Sequence, residues 1–229
     1  YEFLHNTGLL KGSPLLPICC IAAFVVPAAS NYDMYYILPL LYVFTLLVFL
    51  WAILHPQRIT AEQIAHAYLG AITIPFLLSG VMRILLQHEN GKVYVLLPFL
   101  AAWCSDSLAL VFGMLFGKHK LIPQVSPKKT VEGAVGGVIG AVAGLCIFGY
   151  FAGNKLGVEP NYLLLSAAGV VGSLAGMLGD LALSLVKRKT GIKDYGRIMP
   201  GHGGVLDRFD SVIFTAPLFE ILLRFTSAI

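Results

Sequence analysis

The chain has 229 residues, 57% of them hydrophobic and only 12% charged, with a formal net charge of +4. A soluble domain carries about 25% charged residues, so this composition excludes a fold that must cover itself with a polar skin. A bilayer accepts the apolar surface instead, and no nucleic-acid partner is expected.

Apolar runs occupy residues 14–30, 35–54, 64–86, 93–117, 133–153, 161–186 and 211–228. Each is long enough to cross, or nearly cross, a hydrocarbon core of about 30 Å. They predict an all-α, polytopic transmembrane helical bundle of about seven spans. The first and last runs are the weakest: Pro14, Pro17 and Pro27 interrupt one, Glu220 and Arg224 the other. The chain opens on Tyr1 without an initiator Met, so more spans are expected in the full-length protein. The opening residues lack the basic, apolar and cleavage regions of a signal peptide. The reading divides the chain into an N-terminal transmembrane region, 1–92, and a C-terminal catalytic region, 93–229, with polar loops at 117–132 and 187–210. Cys19, Cys20, Cys104 and Cys146 all lie inside apolar runs and read as small buried hydrophobes.

Basic residues fall unevenly about these runs. Lys118, Lys120, Lys128 and Lys129 follow the fourth run, and Lys187, Arg188, Lys189, Lys193, Arg197 and Arg208 follow the sixth. Two spans separate those loops, so they share one side, which also takes Lys11 and Arg58. That side holds twelve of the sixteen Lys and Arg residues. The positive-inside rule makes it cytoplasmic.

Acidic residues inside apolar runs are costly in lipid and face a bundle interior or a wet cavity. Asp106 and Asp180 are two such residues. On a helix, Asp180, Ser184 and Lys187 stand at i, i+4 and i+7 on one face, with Arg188 one step around. The following loop carries Lys193, Asp194, His202, Asp207, Arg208 and Asp210, and its Pro200-Gly201-His202-Gly203-Gly204 stretch cannot be a regular helix. Such glycines permit close approach to a ligand, and their N–H groups can form an anion-binding concavity. Asp180 and Asp207 flank this loop and are candidates to hold a hard cation, for which Mg²⁺ with one or two carboxylates and substrate phosphates is the usual arrangement. The segment 117–137 adds Ser126, Lys128, Lys129, Thr130 and Glu132, where Thr130 is a candidate cap for the next helix and the lysines a candidate phosphate seat. Gly133, Gly136, Gly137, Gly140 and Gly144 repeat at the small-xxx-small spacing of close helix packing. His5, His55, His66, His88 and His119 show no metal-ligand spacing and read as ordinary polar or interfacial residues.

The segment SLVKRKTGIKDYGRIMPGHGGVLDRFD, 184–210, resembles the signature of the phosphatidate cytidylyltransferase (CDP-diacylglycerol synthase) family. The match includes Ser184, Lys187, Arg188, Lys193, Asp194, Pro200, His202, Gly203, Gly204, Asp207, Arg208 and Asp210. Similarity extends over about residues 103–211; the run after Asp106 departs from the family's pattern of a Gly and an aromatic residue.

The resemblance implies transfer of CMP from CTP onto phosphatidic acid, releasing pyrophosphate. It also implies an all-helical homodimer in a membrane lipid environment, in a bacterial inner membrane with the site facing the cytoplasm. Mg²⁺ is implied with Asp180 and Asp207 as ligands, accompanied by K⁺. The expected catalytic set is Asp180, Asp207, Lys187, Arg188 and Asp210. The expected substrate-binding set is Ser126, Lys128, Lys129, Thr130, Ser184, Lys193, His202, Gly203, Gly204 and Arg208. Two other readings stay open: a CTP-using membrane kinase acting on a polyprenol, and a transporter in which Asp106 and Asp180 mark a substrate path.

Overall fold

A computed structural model describes residues 1–156, 160–196 and 203–225. In chain order the helices are α1 (Glu2–Asn6), α2 (Leu15–Tyr32), α3 (Ile37–Leu54, entered through a 3₁₀ turn at Met34–Tyr36), α4 (Ala61–Tyr68), α5 (Ile74–Leu78), α6 (Gly80–Gln87), α7 (Gly91–Tyr94) and α8 (Leu96–Phe116). A hairpin of β1 (Lys120–Ile122) and β2 (Ser126–Thr130) precedes α9 (Val131–Leu156), α10 (Tyr162–Lys189), α11 (Leu206–Phe209) and α12 (Val212–Phe225).

Among the described residues six helices are long and apolar enough to cross a membrane: Leu15–Tyr32, Met34–Leu54, Ala61–Gln87, Gly91–Phe116, Val131–Lys155 and Tyr162–Lys189. They coincide with the first six apolar runs, and the chain is a predominantly helical integral membrane protein. The seventh run contributes α12, described over Val212–Phe225. Pro17 falls in the first turns of α2, where its missing N–H costs nothing, and Pro27 is carried inside the helix. The span from Ala61 contains a π turn at Leu69–Thr73, just ahead of Pro75. Large apolar side chains are exposed along the spans, as Leu38, Tyr42, Ile53 and Leu54 of α3 illustrate.

The chain forms two compact units. The first comprises Tyr1–Ser79 and Val186–Phe209, the second Gly80–Leu185 and Asp210–Ile229. In the first, α1 packs on the π turn: a Cβ at Gly70 would stand 2.5 Å from Leu4 Cδ2. Phe3 stacks on His66 with ring centroids 4.2 Å apart. His66 Nε2 lies 2.7 Å from Thr7 Oγ1 and 3.0 Å from the Phe3 carbonyl, so this histidine is a buried structural group rather than an interfacial one.

In the second unit, Ile84, Tyr94, Leu97, Ala101, Leu145, Leu165 and Phe219 share one core. Gly133, Gly136, Gly137, Gly140 and Gly144 of α9 face α8, whereas Gly149 faces Leu165 of α10. A Cβ at Gly137 would stand 2.9 Å from Ser105 Oγ, one at Gly140 2.5 Å from the Cys104 carbonyl, and one at Gly144 2.7 Å from Cys104 Sγ. The small-residue spacing therefore serves close packing. Gly140→Val is expected to force the helices apart and cost about 1–3 kcal/mol. Thermal unfolding of detergent-purified protein measures this, with Ile139→Ala on the 49%-exposed neighbouring position as the unchanged control. Ser105 Oγ and Ser173 Oγ add an interhelical hydrogen bond of 2.7 Å.

Arg83, Glu220 and Arg224 form a charged cluster in this unit. Arg83 Nε and one terminal nitrogen lie 2.8 and 2.7 Å from Glu220 Oε2, while Arg224 donates to Oε1 at 2.6 Å. Glu220 and Arg224, the acid and the base that interrupt the seventh run, are thereby paired within the fold.

Candidate functional site

The second unit carries the first group of candidate residues. The hairpin is antiparallel, with Lys120 opposite Thr130 and Ile122 opposite Ser126 and an irregularity between them. Sequence reading gives Thr130 as a candidate cap here and does not expect the hairpin ahead of it. The chain instead doubles back from Ile122, and the Val125 N–H bonds to the Ile122 carbonyl at 3.2 Å. Thr130 then caps α9, its Oγ1 accepting the Gly133 N–H at 3.0 Å. Glu132 accepts from the Lys118 and His119 N–H groups and from His119 Nδ1, tying the start of the loop to the start of the helix.

This hairpin presents its lysines to α10. Lys129 Nζ lies 2.5 Å from Asp180 Oδ2; the contact is an ion pair by distance without the angles of a hydrogen bond. Ser184 Oγ donates to Asp180 Oδ1 at 3.1 Å, the i, i+4 relation expected on one helix face. Asp106 Oδ2 accepts from Ser211 Oγ at 2.9 Å. Asp106, Asp180, Lys120, Lys128, Lys129 and Thr130 line one cavity of about 600 Å³, whose remaining wall includes Leu110, Met114 and Met177. The cavity thus combines cations, two carboxylates and an apolar surface. Ser126 is half-buried on β2 and Lys128 is exposed. Asp210 Oδ1 accepts the Ser211 N–H at 2.9 Å.

The second group lies in the first unit. The last turn of α10 closes in a Schellman arrangement: Ile192 N–H bonds to the Lys187 carbonyl at 3.0 Å and Gly191 N–H to that of Arg188 at 3.4 Å. Gly191 takes φ +73°, which glycine alone adopts without strain. This redirects the chain so that Lys187 meets Asp207. Lys187 Nζ donates to Asp207 Oδ1 at 2.9 Å, with side chains only 10% and 4% exposed. Asp207 Oδ2 accepts the N–H groups of Tyr195 at 2.8 Å and Gly204 at 3.0 Å. Lys187 also sits 5.4 Å above the Tyr195 ring, within cation–π range. Gly203 has φ +82°, and a Cβ there would stand 3.1 Å from Asp207 Oδ2. Arg188, Lys193, Asp194 and Arg208 are exposed. Lys193 and Asp194 join Asn6 and Tyr195 around a cavity of about 670 Å³. Pro200 and His202 lie outside the described residues.

The donor chemistry suits a hard cation. Among the described residues, no three His, Cys, Asp or Glu side chains gather as a metal cage. Mg²⁺ does not need one, since it takes one or two carboxylates and fills its shell with water and phosphate. A carboxylate offers about four acceptor positions. Among the described residues Asp180 has two partners and Asp207 three.

Tyr195, Asn6 and Glu2 go unnoticed in sequence reading. Glu2 and Asn6 contact residues about 190 positions or more away, and no spacing rule reaches that far. Tyr195 carries a weak signal as an aromatic residue between the charged Asp194 and Arg197.

The model of the family described as the Cytidylyltransferase family matches residues 3–226. A phosphatidate cytidylyltransferase of Staphylococcus haemolyticus (strain JCSC1435) is 45% identical over 144 residues, covering 63% of this chain and 54% of that protein. One from Staphylococcus saprophyticus subsp. saprophyticus is 44% identical over 152 residues, 66% of this chain and 57% of its own. One from Staphylococcus aureus (strain COL) is 44% identical over 144 residues, 63% and 54%. The chain spans about half the length of the curated relatives it matches.

Proposed function

The chain belongs to the cytidylyltransferase family, and from that premise we propose that it serves as the catalytic part of a phosphatidate cytidylyltransferase, making CDP-diacylglycerol and pyrophosphate from CTP and phosphatidic acid. The observation that carries this reading is the cavity of about 600 Å³ in which Lys120, Lys128 and Lys129 stand beside Leu110, Met114 and Met177. An anionic headgroup with acyl chains asks for that combination: cations at one end and an apolar wall at the other.

In this reading a phosphate oxygen of phosphatidic acid attacks the α-phosphorus of CTP. The bond from that phosphorus to the β-bridging oxygen breaks, and pyrophosphate leaves with the electron pair. The acceptor phosphate is already ionised near neutral pH, so the residues have no strong base to provide. Their task is positioning and charge neutralisation. Lys129, held by Asp180, and Lys128 meet phosphate oxygens. Lys187, held by Asp207, Arg188, Lys193 and Arg208 serve the triphosphate and headgroup, with Ser126, Ser184, His202 and Asp210 orienting them. Asp180 and Asp207 are each a carboxylate that would ligate Mg²⁺, which when bound would supply positive charge to the phosphates. K⁺ is tested beside it by replacement with choline.

The site faces the cytoplasm of a bacterial inner membrane, where CTP is dissolved and where the loop lysines and arginines belong by the positive-inside rule. The protein acts as a homodimer. Full-length protein in detergent, given CTP, phosphatidic acid and Mg²⁺, is expected to release pyrophosphate and a CMP-bearing lipid in equal amounts, with both lost on chelation. Release of CDP, or no consumption of CTP, would overturn the reading. Lys129→Ala is expected to lower kcat/KM by about 10- to 100-fold, the loss that one charge-assisted hydrogen bond of about 1.5–3 kcal/mol implies, with membrane abundance unchanged.

A further inference from the structure

We propose that Glu2 is a positioning residue: its carboxylate clasps the neck of the signature segment and so holds the Lys187–Asp207 pair in register. This rests on the cytidylyltransferase reading above for what the pair does, and on geometry for the clasp itself.

Glu2 Oε1 accepts the Val205 N–H at 3.1 Å, and Oε2 accepts the Leu206 N–H at 2.9 Å. One carboxylate thus satisfies two successive backbone donors more than two hundred residues away in sequence. The neck is shaped to admit it. A Cβ at Gly196 would stand 2.7 Å from Glu2 Cδ and 2.9 Å from Gly204 Cα. A Cβ at Gly204 would stand 2.6 Å from Glu2 Oε2 and 2.6 Å from Gly196 N. Both positions need glycine because two backbone strands and a carboxylate meet there.

The rest of α1 grips the same neck. Asn6 Nδ2 donates to the Tyr195 carbonyl at 2.5 Å, and the Phe3 ring lies 5.5 Å from that of Tyr195. Phe3 is itself fixed by its stack on buried His66. The residues bound by α1 are the ones Asp207 also binds, or their immediate neighbours. Asp207 Oδ2 takes the N–H groups of Tyr195 and Gly204, and its Oδ1 takes Lys187. Two carboxylates therefore close one neck, and only Asp207 carries a paired lysine. If Glu2 lets go, Val205 and Leu206 lose their acceptor. Asp207, the next residue, then moves with them and takes its lysine with it.

The test uses the full-length protein carrying Glu2→Ala or Glu2→Gln. The Gln side chain has nearly the same shape and keeps one acceptor oxygen, so it guards against a variant that fails to fold. Amide hydrogen exchange over Val205–Leu206 is expected to quicken at least tenfold in Glu2→Ala. Its kcat per folded molecule is expected to fall about 10- to 100-fold, the scale of a small misplacement at a reacting centre, with Glu2→Gln between it and the parent. Unchanged exchange in Glu2→Ala would overturn the clasp. A lower melting temperature with unchanged kcat per folded molecule would reduce Glu2 to a stabilising contact and overturn its positioning role. A parent protein that consumes no CTP would sink the functional reading instead, and exchange would still decide the clasp.

Discussion

Asp207→Asn is expected to abolish pyrophosphate release while leaving the protein in the membrane. The carboxylate is almost wholly buried and answers three donors: the Lys187 ammonium and two N–H groups. Asparagine supplies one acceptor oxygen and one amide nitrogen. Whichever way the amide turns, its NH₂ faces either Lys187 or the Tyr195 and Gly204 N–H groups, all of them donors. A buried ammonium then loses its counter-charge, a defect of about 3–5 kcal/mol. The structural and chemical parts of this effect are separable with a double variant. Lys187→Met with Asp207→Asn removes the stranded charge and is expected to regain thermal stability relative to Asp207→Asn. It is not expected to regain turnover, because in the proposed reaction both groups meet phosphate or cation. Return of turnover in the double variant would make the pair scaffolding only, and near-normal turnover in purified Asp207→Asn would remove Asp207 from the metal and substrate site.

Glu220→Gln is expected to lower the melting temperature on the order of 10 °C. Glu220 holds Arg83 on one oxygen and Arg224 on the other. Arg83 is 2% exposed, in a span of apolar helix, where an uncompensated guanidinium is costly. Breaking a buried ion pair from one side costs about 3–5 kcal/mol, and a chain of this size shifts by about 2–4 °C for each kcal/mol. The cluster's worth lies in mutual neutralisation, so replacing both partners, Arg83→Met with Glu220→Leu, is expected to recover most of the loss. Thermal unfolding of the three variants in one detergent decides it. An unchanged melting temperature in Glu220→Gln would mean that water or lipid headgroups already reach Arg83.

Local pattern carries far along this chain because a bilayer leaves so few alternatives. A helix must be apolar and about 20 residues long to cross, and the long apolar runs announce themselves on that ground alone. The glycine spacing of α9 announces its contact surface for a similar reason, since only small side chains let two helices approach closely in lipid. Asp180, Ser184 and Lys187 lie on one helix at legible spacing, and Thr130 stands where a cap belongs.

Tertiary structure alone assigned the partners. Lys129 rather than Lys128 pairs with Asp180 because the hairpin register points it there. Asp207 divides its oxygens between Lys187 and the loop backbone because Gly191 and Gly203 take left-handed angles that bring the ends of the segment together. Glu2 reaches Val205 and Leu206 across nearly the whole length of the chain. Helical and apolar periodicities repeat within a few residues and can be read in a string of letters. Ion pairs and clasps between distant segments follow from chain reversal and packing, and leave no period behind.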